Sequence, residues 1–345
     1  MEKRAVGKSN LKVSVLSLGS MTFGGETEKV DAEAQLDLAY SKGINLIDTA
    51  EIYPAPVRSS TFGSSEIIIG NWLRKRKNRN RVIISTKAAG PGDFIKWVRG
   101  GHSSHNEKNL FEAVEGSLSR LRTDYIDLFN LHWPDRAIDV SKPFFRPPTK
   151  ELDYSFERTM EGLSKLTTEG KIRYVGLCNE SPWGVNKLLE CRKLFPAVKI
   201  ASVQNPYNLL NRKFEIGLAE VAHHEKLSLL AYSPLAMGLL TDHPSDSLET
   251  IRRRTKRNIG FKTYCSLPNI RQRNLLTALA KAEGTELTQM SLGFVLSRSF
   301  TASAIVGSTN VEQLQENLTK SPLKLTKTLE KKINNLYKEN KTPCL

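Results

Sequence analysis

Four side chains of complementary chemistry stand at the ends of three successive apolar segments. Asp48 is the last residue of the apolar segment INLID, and Tyr53 lies five residues further on, at the end of DTAEIY. Lys87 directly follows the segment RVIIST, and His132 directly follows the segment IDLFNL. If the three segments are neighbouring parallel strands, about 4.8 Å apart, these side chains can converge at one edge. The spacing therefore predicts a single site that holds a carboxylate, a phenol, an ammonium and an imidazole.

Such a set can deliver a proton to a carbonyl oxygen. A phenol has an ordinary pKa of about 10, which is high for proton delivery at neutral pH. We expect the ammonium of Lys87 to lower the pKa of Tyr53, and Asp48 to hold Lys87 in place. His132 can orient a substrate oxygen by a hydrogen bond. Tyr53 then acts as general acid while a hydride attacks the carbonyl carbon, and no metal is required.

The elements that must position these residues form a repeating pattern. Continuous apolar runs, typical of parallel strands buried on both faces, alternate with segments whose apolar residues recur every three or four positions, as on one helix face. The predicted strands are 13–18, 44–48, 81–86, 126–131, 174–178, 201–204, 227–232 and 303–307, and the predicted helices are 31–42, 108–121, 157–169, 214–226, 271–283 and 311–318. Eight strands with intervening helices indicate an α/β fold of the (β/α)8, or TIM-barrel, class.

An open doubly wound sheet is the alternative architecture, but its first strand should lead into GxGxxG, and that motif does not occur in this chain. We expect a single barrel domain over residues 1–345 with an N-terminal β-hairpin. Two long loops follow the fourth and seventh strands, at 133–152 and 233–270, on the face where barrel active sites lie. Residues 322–345 are predicted to form an extra C-terminal helix and tail outside the barrel.

Composition restricts the function classes. The chain has 345 residues, and 39% of them are hydrophobic, enough for a sizeable core rather than a disordered chain. Its formal net charge of +15 suggests nucleic acid, an anionic membrane surface or an anionic small ligand as a binding partner. Two basic runs, 74–81 and 252–257, hold most of this excess. The first should lie on the N-terminal face, away from the chemistry, and the second on the active-site face.

The ends and the cysteines point to the cytoplasm. The N-terminus has no apolar region of signal-peptide length, and no run of about 18 apolar residues predicts a membrane span. Cys344 lies one residue from the end, whereas a prenylation box needs its cysteine fourth from the end. The four cysteines form no CxxC pair, which disfavours structural zinc and a disulfide framework. The HSSH sequence at 102–105 offers only two ligands, so no metal site is predicted.

Seven motifs give the chain a resemblance to the aldo-keto reductase superfamily, and within it to the Tas-type branch of NADP-dependent oxidoreductases. They are MTFGG (21–25), DTAEIYPAP (48–56), STKAAG (85–90), LHWPDR (131–136), GKIRYVG (170–176), QNPYNLLNRKFEIGLAEV (204–221) and AYSPLAMGLLT (231–241). The resemblance implies a (β/α)8 fold and reduction of aldehydes or ketones with a nicotinamide cofactor. Its catalytic tetrad falls on Asp48, Tyr53, Lys87 and His132, with all four residue types intact.

The resemblance also implies the cofactor, NADPH/NADP+ rather than NADH, and the residues that bind it. Cys178 replaces the usual Ser, and its thiol is a weaker hydrogen-bond donor. A Gly-Lys step common in relatives is Asp242–His243 here, so Arg254 and Arg257 are expected to supply the missing positive charge. The cofactor-binding candidates are Ser20, Met21, Cys178, Asn179, Gln204, Tyr232, Ser233, Pro234, Leu235, Gly238, Arg254, Arg257, Gly307, Ser308, Thr309, Gln313 and Asn317.

The substrate-side candidates are aromatic: Phe23, Trp97, Trp133, Phe144 and Phe145. The sequence does not identify the carbonyl substrate, the direction of the reaction or the oligomeric state. A cofactor-binding regulatory subunit of the channel β-subunit type is the alternative function, since those subunits share the fold. They depart from His at the position of His132, so this residue favours an enzyme. Nucleic-acid binding, suggested by the charge, is the third and weaker hypothesis.

Overall fold

The fold is a closed barrel of eight parallel strands surrounded by helices, as seen in a computed structural model that describes residues 1–137, 153–242, 264–319 and 322–339. The strands are β1 (Lys3–Ala5), β2 (Lys12–Ser14), β3 (Leu16–Gly19), β4 (Leu46–Asp48), β5 (Ile83–Ala88), β6 (Ile126–Leu131), β7 (Ile172–Cys178), β8 (Ile200–Pro206), β9 (Ser228–Tyr232) and β10 (Thr301–Val306). The barrel runs from β3 to β10 in chain order and closes where β10 pairs with β3. The (β/α)8 prediction is confirmed, and the open doubly wound sheet is excluded.

Ten α-helices lie in the described residues. They are α1 (Lys29–Ser41), α2 (Ser64–Arg76), α3 (Glu107–Leu121), α4 (Phe156–Thr168), α5 (Pro182–Cys191), α6 (Leu218–Glu225), α7 (Leu267–Ala282), α8 (Leu287–Leu296), α9 (Val311–Thr319) and α10 (Lys327–Glu339). In α3 the apolar face predicted from residue spacing is buried, as Leu110, Ala113 and Val114 show. In the described parts of the chain, no helix is both long enough and apolar enough to cross a membrane.

Local capping explains where several helices begin. The side chain of Asn106 accepts a hydrogen bond from the amide of Asn109 at the start of α3, and Ser155 and Ser266 cap α4 and α7 in the same way. The cap at Ser266 starts α7 earlier than predicted, inside the segment expected to be loop. Helix α6 begins later than predicted, because Gly217, in the left-handed backbone region, separates it from a short 3₁₀ turn.

The predicted strand 13–18 is in fact two strands. Chain direction changes at Val15, because Ser14 pairs its amide with the side chain of Asn45 and its hydroxyl with the carbonyl of Leu16. Strand β2 therefore joins β1 in the expected antiparallel hairpin. Val6, Leu11 and Val13 of this hairpin segment cluster with residues from five barrel strands, namely Leu46, Leu128, Ala201, Leu230 and Ala302. The hairpin thus closes the N-terminal end of the barrel with apolar side chains.

The C-terminal helix α10 packs against α7. Leu329 and Ile333 are its buried residues, and the Glu330 carboxylate lies 2.6 Å from the guanidinium of Arg298. Asn334 also accepts a hydrogen bond from Arg212 at 2.8 Å. These contacts attach the helix to the outside of the barrel, at the position where the sequence predicts a terminal helix.

Candidate active site

Three neighbouring strands bring the four predicted catalytic residues to one end of the barrel. Asp48 ends β4 and pairs in register with Ser85 of β5, while Lys87, two residues further on, pairs with Asn130 of β6. His132 is the first residue after β6, and its amide bonds to the carbonyl of Ala88 at 2.9 Å. The site therefore lies at the carboxyl ends of the strands, where barrel enzymes place their chemistry.

Asp48 and Lys87 form a buried ion pair. The Lys87 Nζ lies 2.6 Å from Asp48 Oδ2 and donates a second hydrogen bond to the carbonyl of Thr49 at 2.7 Å. The other carboxylate oxygen of Asp48 accepts hydrogen bonds from Ser85 at 2.7 Å and from Gln204 at 2.8 Å. Burial alone would lower the pKa of Lys87, but Asp48, Tyr53 and Cys178 together raise it by more than burial lowers it. The ammonium is therefore kept charged in the barrel interior.

Tyr53 lies beside this pair. The Lys87 Nζ is 5.1 Å from the centre of the Tyr53 ring, and the ring meets His132 edge-on at 5.7 Å between centroids. Burial raises the pKa of Tyr53 to about 12, and Asp48 adds to the increase, so that the two outweigh the lowering by Lys87. Lys87 does lower the pKa of Tyr53, as expected, but burial of the ring is the largest effect and outweighs it, so the net shift is upward.

His132 is held as a neutral imidazole. Burial lowers its pKa well below the ordinary value, and the charge of Lys87 acts in the same direction. Its Nδ1 atom is buried and has no hydrogen-bond partner among the described residues. The ring packs against Trp133, with 4.8 Å between centroids. A neutral imidazole carries one N–H and can therefore donate a hydrogen bond without adding a second positive charge beside Lys87.

Four predicted cofactor residues come together on the side of the barrel next to the tetrad. Tyr232 donates a hydrogen bond to Asn179 Oδ1 at 2.8 Å, and the Asn179 amide nitrogen donates to the carbonyl of His132 at 2.9 Å. Among the described residues, the hydrogen-bond partner of Gln204 Oε1 is the Cys178 thiol, at 3.7 Å. Because a thiol is a weak donor, this buried amide oxygen keeps most of its capacity to accept a hydrogen bond. Burial raises the pKa of Cys178 to about 12, so the thiol stays protonated.

The loop after β9 has an unusual backbone. Asn179 and three residues of this loop, Ser233, Ala236 and Met237, have positive φ values between 49° and 57°. Each such residue costs about 1–3 kcal/mol, and such residues cluster at functional sites. The predicted residues Ser233, Pro234, Leu235 and Gly238 all lie in this compact turn, which Asn208 fastens by a 2.8 Å hydrogen bond to the Ser233 carbonyl.

The loops after β3 and β10 are joined to each other. Thr22 donates a hydrogen bond to the Ser308 carbonyl at 3.1 Å, and Thr27 donates one to the Thr309 carbonyl at 3.0 Å. Ser308 Oγ is buried without a hydrogen-bond partner in the described residues. These loops contain Ser20, Met21, Gly307, Ser308 and Thr309 of the predicted cofactor set. Ser20 is fully buried and already bonded to the Asp48 carbonyl, at 2.9 Å.

The N-terminus of α9 is already capped. Val311 donates its amide hydrogen to the carboxylate of Asp31 at 2.9 Å, and Gln313 donates its own to Asn310. The Gln313 side chain accepts from Thr309 at 3.2 Å, so it caps the helix instead of standing free for a ligand. Asn317 is buried on the inner side of the helix. The carboxylate of Asp31 places a negative charge where the sequence led us to expect an anion site.

Several predicted residues stand elsewhere. Phe23 is fully buried in the main hydrophobic core and presents no surface to a substrate, so its predicted place on the substrate side is not what the structure shows. Trp133 is partly buried and donates to the Pro91 carbonyl at 2.9 Å, and Trp97 is 40% exposed. Four other candidates, Phe144, Phe145, Arg254 and Arg257, and also His243, lie outside the described residues.

Asp242, which with His243 replaces the Gly-Lys step of relatives, caps a helix in a distant part of the chain. Its two carboxylate oxygens accept hydrogen bonds from the amides of Leu287 and Thr288, each at 2.9 Å. It therefore caps the first turn of α8 from a distant part of the chain, and its negative charge is favourable at a helix N-terminus.

Sequence reasoning missed a buried ion pair beside the tetrad. Both carboxylate oxygens of Glu51 lie 2.7 Å from the Arg99 guanidinium, and one of them also accepts from the Ala89 amide at 2.6 Å. Arg99 reaches Ser103 and the carbonyl of Asn109, at 3.2 Å each. The available signal was an acid placed between Asp48 and Tyr53, on a segment that is otherwise apolar. Phe94, 59% exposed and 5.7 Å from the Trp133 ring, was also missed.

Comparison with known proteins agrees with this geometry. Residues 15–338 match the Aldo/keto reductase family. The chain is 38% identical to Protein tas of Escherichia coli K12 over 339 residues, which cover 94% of each protein. It is 35% identical to an aldo-keto reductase of Babesia bovis, over 75% of this chain and 96% of the relative. It is 31% identical to the uncharacterized oxidoreductase YqkF of Bacillus subtilis, over 92% of this chain and 90% of the relative.

The closed (β/α)8 barrel and the family match together identify an oxidoreductase. The chain belongs to the aldo/keto reductase family. Carbonyl reduction is the general chemistry of such a family, and its substrates are small carbonyl compounds.

Proposed function

We propose that this protein reduces aldehydes or ketones to alcohols with NADPH, with Tyr53 as the proton donor. The observation that carries the proposal is the buried Lys87–Asp48 pair beside Tyr53 and the neutral His132. The chain is proposed to act as a single barrel domain of 345 residues. The regulatory-subunit alternative is weaker, since it makes no use of a histidine placed against the tyrosine ring.

The residues present fit a nicotinamide cofactor. Gln204 Oε1 and Ser308 Oγ are buried polar atoms with little or no hydrogen bonding in the described chain, and both are predicted to contact the cofactor. A carboxamide, which both donates and accepts hydrogen bonds, suits Gln204 and Asn179. Tyr232, fixed by its bond to Asn179, would hold the ring of the cofactor in place. When bound, the cofactor supplies the hydride.

The protein's own residues would do the rest. His132 donates a hydrogen bond that orients the carbonyl oxygen, and Tyr53 gives that oxygen its proton. Lys87 stands next to the ring of Tyr53 and stabilises the negative charge that the phenol acquires as the proton leaves. Asp48 keeps Lys87 charged and fixed, and Gln204 and Ser85 in turn hold Asp48.

The most direct experiment is a fluorescence titration with NADPH and with NADH, followed by turnover measurements on a broad panel of aldehydes and ketones. We expect binding of NADPH and measurable reduction of part of the panel. Binding without turnover on any compound would favour the regulatory-subunit alternative. Failure to bind either nucleotide would overturn the proposal.

The raised pKa of Tyr53 has a consequence for the pH dependence of the reaction. The phenol must be protonated to act as an acid, and a raised pKa keeps it protonated to higher pH. We therefore expect kcat/KM for reduction to show no loss from Tyr53 ionisation below a pH of about 10, the ordinary phenol value. A pH–rate profile checks this. A basic limb centred near pH 8 that disappears in Tyr53→Phe would contradict it.

Asp31 should weaken the preference for NADPH. If the 2′-phosphate binds near the start of α9, as the family resemblance implies, the Asp31 carboxylate repels it. Two unit charges about 4 Å apart in water interact by about 1 kcal/mol, a factor of about five in affinity. Asp31→Asn keeps an oxygen for the Val311 amide and should tighten NADPH about five-fold, with NADH unchanged. Titrations of both variants with NADPH and with NADH test this, and Asp124→Asn, which changes an exposed acid before β6, is the control. Equal changes in affinity for the two cofactors in Asp31→Asn would refute the prediction.

A further inference from the structure

A cavity lies at the opposite end of the barrel from the tetrad. It measures about 770 Å³ and is lined by residues of the hairpin, the end of α1 and the segment before β4, the segment that leads into β5, and residues around the starts of β6 and β7. This volume falls within the range of about 300–1,000 Å³ typical of small-ligand sites. All of its lining residues belong to the described chain, and none is a predicted catalytic or cofactor residue.

The lining is strongly basic. Lys3, Lys12, Arg81 and Arg173 line the cavity, and Asp127 is the single acid among the lining residues. Asp127 already forms two ion pairs, because its two carboxylate oxygens each lie 2.8 Å from a guanidinium group, one of Arg79 and the other of Arg173. In the described part of the chain, the side chains of Lys3, Lys12 and Arg81 have no ion-pair partner. The groove therefore carries about three uncompensated positive charges.

The hairpin places two of these charges close together. In the antiparallel register, Lys3 pairs with Ser14 and Ala5 pairs with Lys12, so Lys3 and Lys12 project from the same face. Diagonal neighbours of this kind are about 7–8 Å apart, and like charges at such a distance repel. Arg81 belongs to the basic run 74–81, whose role the catalytic function does not explain. A ligand with several negative charges would relieve this repulsion.

We propose that this groove binds a small polyphosphate-bearing anion. Phosphate groups match the lysine and arginine donors, which come from separate elements around the groove and suit a ligand with more than one charged group. Asn80, which also lines the cavity, is exposed and can hydrogen-bond to such a ligand. The hairpin bounds the cavity on one side, and the cavity volume is that of a site for a small ligand. Both features favour a compact anion over a long nucleic-acid strand.

The test uses inorganic triphosphate as the probe and the full-length protein. Isothermal titration calorimetry at low ionic strength, with NADP+ present to occupy the predicted cofactor site, should show saturable binding with a Kd below about 1 mM. Lys12→Glu/Arg81→Glu should weaken this binding at least about ten-fold, because it removes two groove cations and adds two repelling acids. Arg74→Glu/Lys77→Glu makes the same change in net charge within the basic run but outside the groove, and should keep binding within about three-fold.

Three outcomes would overturn the proposal. These are no saturable heat with the wild-type protein, equal loss in both double variants, and tighter binding of a single-stranded oligonucleotide than of triphosphate through Lys12 and Arg81. Circular dichroism and carbonyl turnover of both double variants should match the wild type, because the groove is at the far end of the barrel from the tetrad. A loss of folding in the groove variant would be resolved by Lys12→Gln/Arg81→Gln, which should still lower the affinity.

Discussion

Tyr53→Phe is expected to lower kcat for carbonyl reduction by about 10²–10⁴-fold, the usual contribution of a positioned general acid. The substitution removes one hydroxyl and leaves the ring, so its packing beside His132 and Lys87 should persist. Affinity for the nicotinamide cofactor should change little, because the hydroxyl is assigned to the substrate oxygen. Steady-state kinetics on the best compound of the panel, together with a cofactor titration, measure both quantities.

Tyr174→Phe is the matched control. It removes the same hydroxyl from a tyrosine whose partner is Asn10, in the hairpin at the opposite end of the barrel. Its turnover should equal that of the wild type. Turnover of Tyr53→Phe within about three-fold of the wild type would show that another group donates the proton, and would remove the central residue of the proposed mechanism.

Lys87→Met is expected to damage both activity and stability. Removing one partner of a buried ion pair leaves the other charge uncompensated and costs about 3–5 kcal/mol. We expect about 3 kcal/mol here, because Asp48 keeps hydrogen bonds from Ser85 and Gln204. Turnover should fall by at least about 10²-fold, since the charge next to Tyr53 is lost. Urea unfolding gives the change in the free energy of unfolding, and steady-state kinetics give the change in rate.

A second substitution separates the two effects. In Lys87→Met/Asp48→Asn the unpaired carboxylate is replaced by an amide, so most of the lost stability should return while turnover stays low. Lys165→Met, which breaks an exposed ion pair with Glu107, should leave both quantities nearly unchanged. Recovery of turnover in the double variant would mean that Lys87 serves only to neutralise Asp48, and would contradict its proposed role beside the phenol.

Part of this picture follows from the sequence and part does not. The strand-end positions of Asp48, Lys87 and His132 are predictable, because parallel strands of one barrel end on the same rim. The direction of the shift in the pKa of Tyr53 is not predictable from the sequence, because it depends on how completely the ring is buried and on how close Asp48 lies. Local spacing gives neither quantity. The prediction considered the cation, which does lower this pKa, and omitted the burial that raises it by more.

Long-range partners were equally hidden. Gln313 looks free on its helix face, yet its oxygen is used by Thr309, and the helix end that it caps is also held by Asp31 from α1. Phe23 follows the first barrel strand and looks available, yet it is fully buried in the core. The split of the first predicted strand depends on Asn45, about thirty residues away. Each case turns on a contact between segments that are far apart in the chain.

The buried pair of Glu51 and Arg99 has a practical consequence for engineering. It ties the segment that carries Phe94 and Trp97 to the segment after β4 that carries Tyr53, so we expect a change at the pair to disturb both segments. Libraries that vary Phe94 and Trp97 but keep Glu51 and Arg99 should alter substrate choice while preserving the chemical step. Libraries that also randomise the pair should yield mostly inactive clones, whatever aromatic residues they contain.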